Sequence, residues 1–195
     1  MSGATPPARL VLPVGPRDHA QGPETAPVTL VEYGDYQCPY CGEAFPIVRQ
    51  VQKRLGPKLR FVFRNFPIGT AHPNAPLAAE AAEAAGAQGR FWEMHDMLYE
   101  HQSELEEPYL LAYAQELKVQ VGQFRSDLER HAYRARVQED FMSGVRSGVN
   151  GTPTFYINGV RHDDSYEQNV LLRALESQIG GSTGAARRPA RRRST

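Results

Sequence analysis

A strand, a helix and a second strand follow one another in the first third of the chain, and this order restricts the folds open to it. Residues 28–33 are rich in β-branched side chains and end at Gly34, which predicts a strand. Apolar residues at three- and four-residue intervals predict a helix over 38–55, and residues 59–66 predict the second strand. Two strands joined by a helical crossover pair in parallel, so the sequence predicts an α/β fold.

The middle of the chain has the apolar spacing of helices. Five helices are predicted, over residues 75–87, 90–102, 108–117, 121–130 and 132–147. Sheet residues return at 154–157, where Asn158-Gly159 predicts a tight turn into a strand at 160–163, followed by a last helix at 166–179. We therefore expect an α/β domain formed by residues 27–67 and 150–179, interrupted by an all-helical insertion at 68–149.

The two ends of the chain differ from this body. Residues 1–26 are rich in proline and glycine and are expected to be an extension with at most a short edge strand at 10–12. Residues 180–195 have no apolar side chain larger than alanine and carry five arginines without an acid, which predicts a disordered, solvated tail. The whole chain has 22 basic and 22 acidic residues, so no global charge attracts nucleic acid, and we expect no nucleic acid partner. The alternative is that the arginines of the tail bind nucleic acid or an acidic surface.

No apolar run approaches the length of a transmembrane helix, and the first 20 residues lack the basic start and unbroken apolar core of a secretory signal. We therefore expect a cytoplasmic protein without a membrane partner. Thiols are kept mostly reduced in that compartment, where a CxxC pair is more often catalytic or metal-binding than structural.

The chain has two cysteines, which stand in the sequence Cys38-Pro39-Tyr40-Cys41 at the predicted helix start. A disulfide across so short a loop stabilises a fold little, so we expect the pair to perform chemistry. Residues three apart on a helix are close enough for a disulfide after a small adjustment. Cys38 lies beside the unpaired N–H groups and positive dipole end of the helix, which favour its thiolate, whereas Cys41 continues the apolar stripe. We predict that Cys38 attacks a disulfide and Cys41 resolves the mixed disulfide.

A CxxC pair can also serve other purposes. A structural zinc site needs four ligands, and two histidines would have to replace the missing second cysteine pair. A c-type haem attachment requires histidine directly after the second cysteine, where this chain has Gly42. Two inert buried thiols are the remaining alternative. No metal ligand is therefore assigned.

The motifs around this pair resemble a known family. The run VEYGDYQCPYCGEAFPIV and the later GTPTFYING are similar to the DsbA-like branch of the thioredoxin superfamily. More narrowly, RDHAQGPETAPVTLVEYGDYQCPYC resembles soluble thioredoxin-like proteins whose relatives are also found fused to sodium/proton antiporters. The resemblance spans roughly residues 10–179 and implies a thioredoxin fold with an inserted helical domain.

The resemblance also implies roles for single residues. Pro153 matches the family's cis-proline, and the backbone of Thr152 before it would pair with an extended substrate segment. Glu32, six residues before Cys38, matches a buried acid that exchanges a proton with Cys41, the alternative being a salt-bridged Glu near a strand end.

The Pro39-Tyr40 dipeptide is expected to tune the redox potential. Strongly oxidising relatives resemble CPHC, and Tyr40 cannot supply the positive charge of that histidine. Thr152 also resembles reductase or isomerase relatives more than the strongest oxidants.

The sequence as a whole predicts a DsbA-like thiol–disulfide oxidoreductase, closer to a reductase or isomerase than to a strong oxidase. Its electrons would reside in the cysteine pair without a cofactor and pass to protein thiols or disulfides, with glutathione or a thioredoxin-type protein as partner. The alternative is a metal-binding or chaperone-like interaction module on the same fold. A glutathione-dependent transferase or isomerase is a third hypothesis, although such enzymes usually have serine at the nucleophile position.

Overall fold

A computed structural model of the protein describes residues 8–182. Its strands are β1 (His19–Gln21), β2 (Val28–Gly34), β3 (Leu59–Asn65), β4 (Thr154–Ile157) and β5 (Val160–His162). Its helices are α1 (Pro39–Leu55), α2 (Ala75–Gly86), α3 (Phe91–Glu100), α4 (Glu107–Glu116), α5 (Val121–Glu129), α6 (Arg134–Ser147) and α7 (Gln168–Ser182). None of the helices in this described part is long and apolar enough to cross a membrane.

The five strands form one mixed sheet in the order β1-β3-β2-β4-β5. β2 and β3 are parallel, with Leu30 opposite Phe61, which confirms the pairing expected for strands joined by a helix. The other neighbouring strands are antiparallel. β4 and β5 are joined by a tight turn in which Asn158 and Gly159 both have positive φ, as the Asn-Gly pair predicts.

Alternate residues of β2 face opposite sides of the sheet, and both sides are buried. Val28 and Leu30 pack with α1, α7 and the inserted helices, whereas Val31 and Tyr33 belong to a second apolar cluster on the other side. Glu32 lines a cavity with residues of α1 and therefore lies on the first side, the face expected from its spacing. Its carboxyl group is thereby carried into the apolar layer beneath the start of α1.

Helices α2–α6 lie between β3 and β4 in the chain, so this helical segment separates the first three strands of the sheet from the last two. α2 lies at the centre of this segment and contacts α3, α4, α5 and α6. Alanine occupies most of its positions and lets several helices approach one axis closely, which explains why α2 is buried on nearly every side.

Two terminal expectations need correction. No strand forms at residues 10–12; instead Arg9 makes an isolated bridge to Val160, and the edge strand of the extension is β1, which pairs with β3. Helix α7 continues to Ser182, so residues 180–182 are helical rather than part of the tail. Residues 183–195, with the five arginines, lie outside the described residues.

Arg64 on β3 explains the course of the extension. Its guanidinium is fully buried and donates to both carboxylate oxygens of Asp18, at 2.8 and 3.0 Å. The same group donates to the Tyr33 hydroxyl and to the carbonyls of Leu12 and Pro13. Because these carbonyls point at Arg64, the segment bends around the guanidinium and does not join the sheet at that point.

Candidate active site

The two cysteines lie at the start of α1. Cys38 is the N-cap residue, with extended backbone angles, and Pro39 occupies the first turn, where no N–H is needed. The side chains of Cys38 and Cys41 approach to 3.9 Å and are not joined by a disulfide. Both cysteines are buried, whereas the Tyr40 side chain between them is 60% exposed. Tyr40 therefore lies at the surface, with Cys38 beneath it.

The surroundings of Cys38 favour its thiolate. A hydrogen bond from the Cys41 thiol is the largest influence that lowers the Cys38 pKa, to about 5, against the opposing effect of burial. The Thr152 side chain and the backbone N–H groups of Cys41 and Tyr40 lower the pKa further. These donors are those of a helix start and the facing loop, and they stabilise negative charge on the sulfur.

Cys41 has the opposite environment. Burial raises its pKa well above the usual value, and the hydrogen bond to Cys38 and the nearby Glu32 carboxylate act in the same direction. Cys41 therefore keeps its proton under conditions in which Cys38 has lost it. The two thiols of the pair therefore differ in acidity, and the more acidic thiol, Cys38, lies at the helix start.

The loop before β4 lies against Cys38. The Thr152–Pro153 peptide bond is cis, and the Thr152 carbonyl accepts a hydrogen bond from the Cys38 thiol at 3.3 Å. The Thr152 hydroxyl is buried without a hydrogen-bond partner among the described residues, so it is free to turn toward the sulfur. The chain thus brings together Cys38, Cys41, Thr152 and Pro153 across more than 110 residues of sequence.

Glu32 lies beneath this group and is 3% exposed. Burial raises its pKa to about 8, and negative charge at Cys38 contributes to the increase. Its Oε1 atom has no hydrogen-bond partner, and the described part of the chain holds no ion pair with Glu32. The alternative of a salt-bridged Glu at a strand end is therefore wrong.

A cavity of about 250 Å³ reaches Glu32 from the side of the sheet. Phe45 and Phe61 line it, and the ion pair between Arg49 and Asp96 lies toward its solvent side. A carboxyl group with one free oxygen beside such a cavity can gain or lose a proton without passing the surface that carries Tyr40.

The buried state of Glu32 predicts a pH dependence of folding stability. The pKa of Glu32 in the folded protein, about 8, exceeds its ordinary value of 4.5. Its contribution to the free energy of unfolding is therefore fully present below pH 4.5 and is lost as the pH rises toward 8. Between about pH 4 and about pH 7, the raised pKa of Glu32 should lower the free energy of unfolding by about 3 kcal/mol. The Glu32→Gln variant should not show this decrease. Urea unfolding at the two pH values would measure this difference.

The comparison is cleanest with Cys38→Ala in both proteins. The lowered pKa of Cys38, about 5, would otherwise add stability as the pH rises and mask part of the Glu32 effect. If the free energy of unfolding depended equally on pH with glutamate and with glutamine at position 32, the Glu32 carboxyl group would be ionised in the folded state at no cost in stability.

Two polar residues that the sequence analysis did not single out hold the loop before Cys38. Asp35 is buried, and its carboxylate accepts hydrogen bonds from the backbone N–H groups of Gln37 and Ile68 while contacting His72 Nδ1, each at 2.8 Å. Its position two residues before Gln37 is typical of an Asx turn, so local sequence could have indicated it. Gln102 follows α3 and reaches the same loop from the insertion, which nothing in the local sequence indicates.

His95 on α3 is a core residue. It is 3% exposed, and burial lowers its pKa to about 3, so it is neutral. Its Nδ1 lies 3.1 Å from the Tyr36 hydroxyl, which attaches the loop before Cys38 to the insertion. No group of three or more His, Cys, Asp or Glu side chains within residues 8–180 is arranged to hold a metal ion.

The parallel β2–β3 pair, the cysteine pair at the start of the connecting helix α1 and the cis-proline loop against Cys38 form the arrangement expected of a thioredoxin-like protein. A family model described as Thioredoxin matches residues 15–177. The chain belongs to this thioredoxin family.

Solved structures support the fold. BdbD from Bacillus subtilis superimposes with a TM-score of 0.79 at 24% identity, covering 92% of this chain and 100% of that one. The α-DsbA1 protein of Wolbachia pipientis gives 0.78 at 17% identity, with 91% and 98% covered. A thioredoxin-like oxidoreductase from Silicibacter pomeroyi gives 0.74 at 28% identity, with 88% and 95% covered. The expected DsbA-like thioredoxin fold is confirmed.

Curated relatives support the narrower resemblance. The chain is 48% identical over 174 residues to the Na(+)/H(+) antiporter NhaA 1 of Salinispora arenicola, covering 89% of this chain and 26% of that protein. It is 43% identical over 171 residues to NhaA 1 of Mycobacterium sp. strain KMS, covering 86% and 28%. The chain therefore spans about a quarter of the length of these relatives and is similar to one part of them.

Proposed function

We propose that the protein is a thiol–disulfide oxidoreductase that exchanges electrons between its Cys38-Cys41 pair and the thiols or disulfides of protein substrates. The observation that carries the proposal is the opposite environment of the two sulfurs. Cys38 is surrounded by hydrogen-bond donors at a helix start, while Cys41 is buried and protonated next to it. This asymmetry suits a nucleophile and a resolving thiol rather than two equivalent metal ligands.

In the reductive direction, the Cys38 thiolate attacks one sulfur of a substrate disulfide. The substrate S–S bond breaks, a mixed disulfide forms, and the other substrate sulfur leaves as a thiolate that takes a proton from water. In the mixed disulfide Cys38 no longer carries the negative charge that helps to raise the Glu32 pKa, so the ionised form of Glu32 becomes more accessible. Cys41 transfers its proton to this carboxylate and attacks Cys38. The Cys38–Cys41 disulfide forms, and the second substrate sulfur leaves as a thiolate. The substrate is reduced by two electrons and the cysteine pair is oxidised by two.

The loop at Thr152 and Pro153 would bind the substrate. Its backbone lies directly beside Cys38, so an extended peptide that pairs with Thr152 brings its own disulfide within reach of the thiolate. The electrons reside in the cysteine pair, so the reaction needs no cofactor. Glutathione or a thioredoxin-type protein in the cytoplasm would restore the starting redox state, and nucleic acid has no part in this reaction.

Tyr40 supports a potential below that of the strong oxidants. Its side chain is exposed, and its backbone N–H is the part that lowers the Cys38 pKa, so this position supplies no cationic side chain to the thiolate. A Cys38 pKa of about 5 nevertheless falls between the values of about 7 and about 3.5 known for thioredoxin and DsbA.

Equilibrium titration in glutathione buffers, read by alkylation and mass, should give a Cys38–Cys41 potential between about −270 and about −120 mV. A value near −120 mV would contradict the reductase or isomerase assignment. Failure to form the disulfide at any ratio of oxidised to reduced glutathione would overturn the proposed function. Cys41→Ala is the matched control, because it retains Cys38 and cannot form the intramolecular disulfide.

A further inference from the structure

Gln102, in the turn after α3, is hydrogen-bonded to the loop that carries the nucleophile. Its Nε2 donates to the carbonyl of Tyr36 at 2.8 Å and to the carbonyl of Cys38 at 2.9 Å. Carbonyl oxygens only accept hydrogen bonds, so the amide nitrogen of Gln102 must face them. One side chain of the helical insertion thus spans the backbone on both sides of residue 37.

Resting on the proposed function, we infer that Gln102 is a positioning residue for disulfide exchange: its carboxamide fixes the orientation of Cys38 at the start of α1. The carbonyl of Cys38 also accepts hydrogen bonds from the N–H groups of Cys41 and Gly42, both at 3.1 Å. That carbonyl therefore joins the cap residue to the first turn, and Gln102 holds it from the outside.

This orientation determines what surrounds the sulfur. The backbone N–H groups of Tyr40 and Cys41 at the helix start lower the pKa of Cys38 and so favour its thiolate. They can do so only while the cap residue keeps its extended backbone, with ψ at 122°. Without Gln102 the two carbonyls would turn toward water, and the sulfur would spend less time facing these donors.

Gly42 provides a second, independent observation. A Cβ atom built on Gly42 would overlap the Gln102 carboxamide, with Oε1 as its nearest atom. The backbone of Gly42 is helical, with φ outside the positive region, so alanine is compatible with its conformation. Glycine is needed at this position to admit the end of Gln102 rather than to relieve backbone strain. Gly42→Ala should therefore displace the carboxamide without touching either cysteine.

The test is a double-mutant cycle of Gln102→Ala and Gly42→Ala, read by the pH midpoint of Cys38 thiolate absorbance and by the alkylation rate of Cys38 with iodoacetamide. We expect each single variant to raise the midpoint by about one pH unit, which leaves about tenfold less thiolate below the midpoint. The double variant should match the Gln102→Ala variant, since without Gln102 the alanine at position 42 has nothing to displace.

Matched controls are available in the insertion. Gly122→Ala adds a methyl group to α5 where a Cβ would meet no atom within 4 Å, and Gln115→Ala removes an exposed carboxamide from α4. Both should leave the Cys38 midpoint unchanged. In the Gln102→Ala background, Gly42→Ala should raise the melting temperature through helix propensity while leaving the midpoint unaltered. If Gln102 served only to stabilise the fold, the pH midpoint of Cys38 and the melting temperature would change together.

Unchanged midpoints in both single variants, with a lower melting temperature for Gln102→Ala, would overturn the inference. Additive shifts in the double variant would also overturn it, because Gly42 would then act by another route. The measurement needs no disulfide exchange. Loss of the proposed function in the glutathione titration and failure of this inference are therefore separate results.

Discussion

Replacing Cys38 by serine should reduce disulfide exchange about 10³-fold or more, whereas replacing Cys41 by serine should trap the protein on its substrate. The Cys38 thiolate has its pKa lowered to about 5, and a serine hydroxyl at the same position stays protonated and cannot attack sulfur. In Cys41→Ser the first attack is intact, but no thiol remains to break the mixed disulfide. Turnover of a fluorescent peptide disulfide and non-reducing mass spectrometry would measure both effects.

The two variants serve as controls for each other, because each removes one sulfur from the same buried pair. We expect both to fold, as judged by similar circular dichroism melts, and only Cys41→Ser to accumulate a one-to-one adduct with the peptide. If Cys38→Ser accumulated the adduct instead, the two sulfurs would have the opposite roles. Retained turnover in both variants would show that the pair is not the reaction centre.

The largest expected loss of stability follows from Arg64→Met. The change would leave the Asp18 carboxylate, whose side chain is 8% exposed, without its cation. It would also remove the donor to the Tyr33 hydroxyl and to two backbone carbonyls. Breaking a buried ion pair in this way costs about 3–5 kcal/mol, because the remaining charge is desolvated and has no compensating partner.

Urea unfolding of Arg64→Met, of Asp18→Asn and of the double variant would measure the coupling between the two side chains. The double variant should be less destabilised than the sum of the single variants, since it buries no unpaired charge. Arg17→Met is the matched surface control: its ion pair with Glu139 is exposed on both sides and should contribute less than about 1 kcal/mol. If Arg64→Met lowered the free energy of unfolding as little as Arg17→Met, the buried pair would not be what holds the extension on the sheet.

The elements with strong periodicity could be predicted from the sequence. The parallel pair of β2 and β3 and the turn at Asn158-Gly159 follow from local patterns, and they are present. The face of Glu32 is also readable from the strand, because it lies two residues after Leu30 and four after Val28 and so points to the same side of the sheet.

Contacts between distant segments could not be predicted in this way. Arg64 finds its carboxylate 46 residues earlier, and Gln102 reaches a carbonyl 64 residues earlier, so no local spacing relates the partners. β1 has the sequence His-Ala-Gln, which carries no strand preference and becomes a strand because β3 offers it an edge. These are the contacts that attach the extension and the insertion to the sheet.

The path of the extension also bears on how the protein behaves in concentrated solution. An unpaired strand edge can recruit strands from neighbouring molecules and so begin aggregation. Residues 8–10 lie along β5 at one edge of the sheet, through the Arg9–Val160 bridge and the hydrogen bond from Leu10 to Gly159. Ten residues after Arg9, the same segment forms β1 at the opposite edge. One short stretch of chain, held in its middle by Arg64, thus covers the β5 edge and leaves the three-residue β1 as the opposite edge, and so short an edge strand is a poor template for intermolecular pairing.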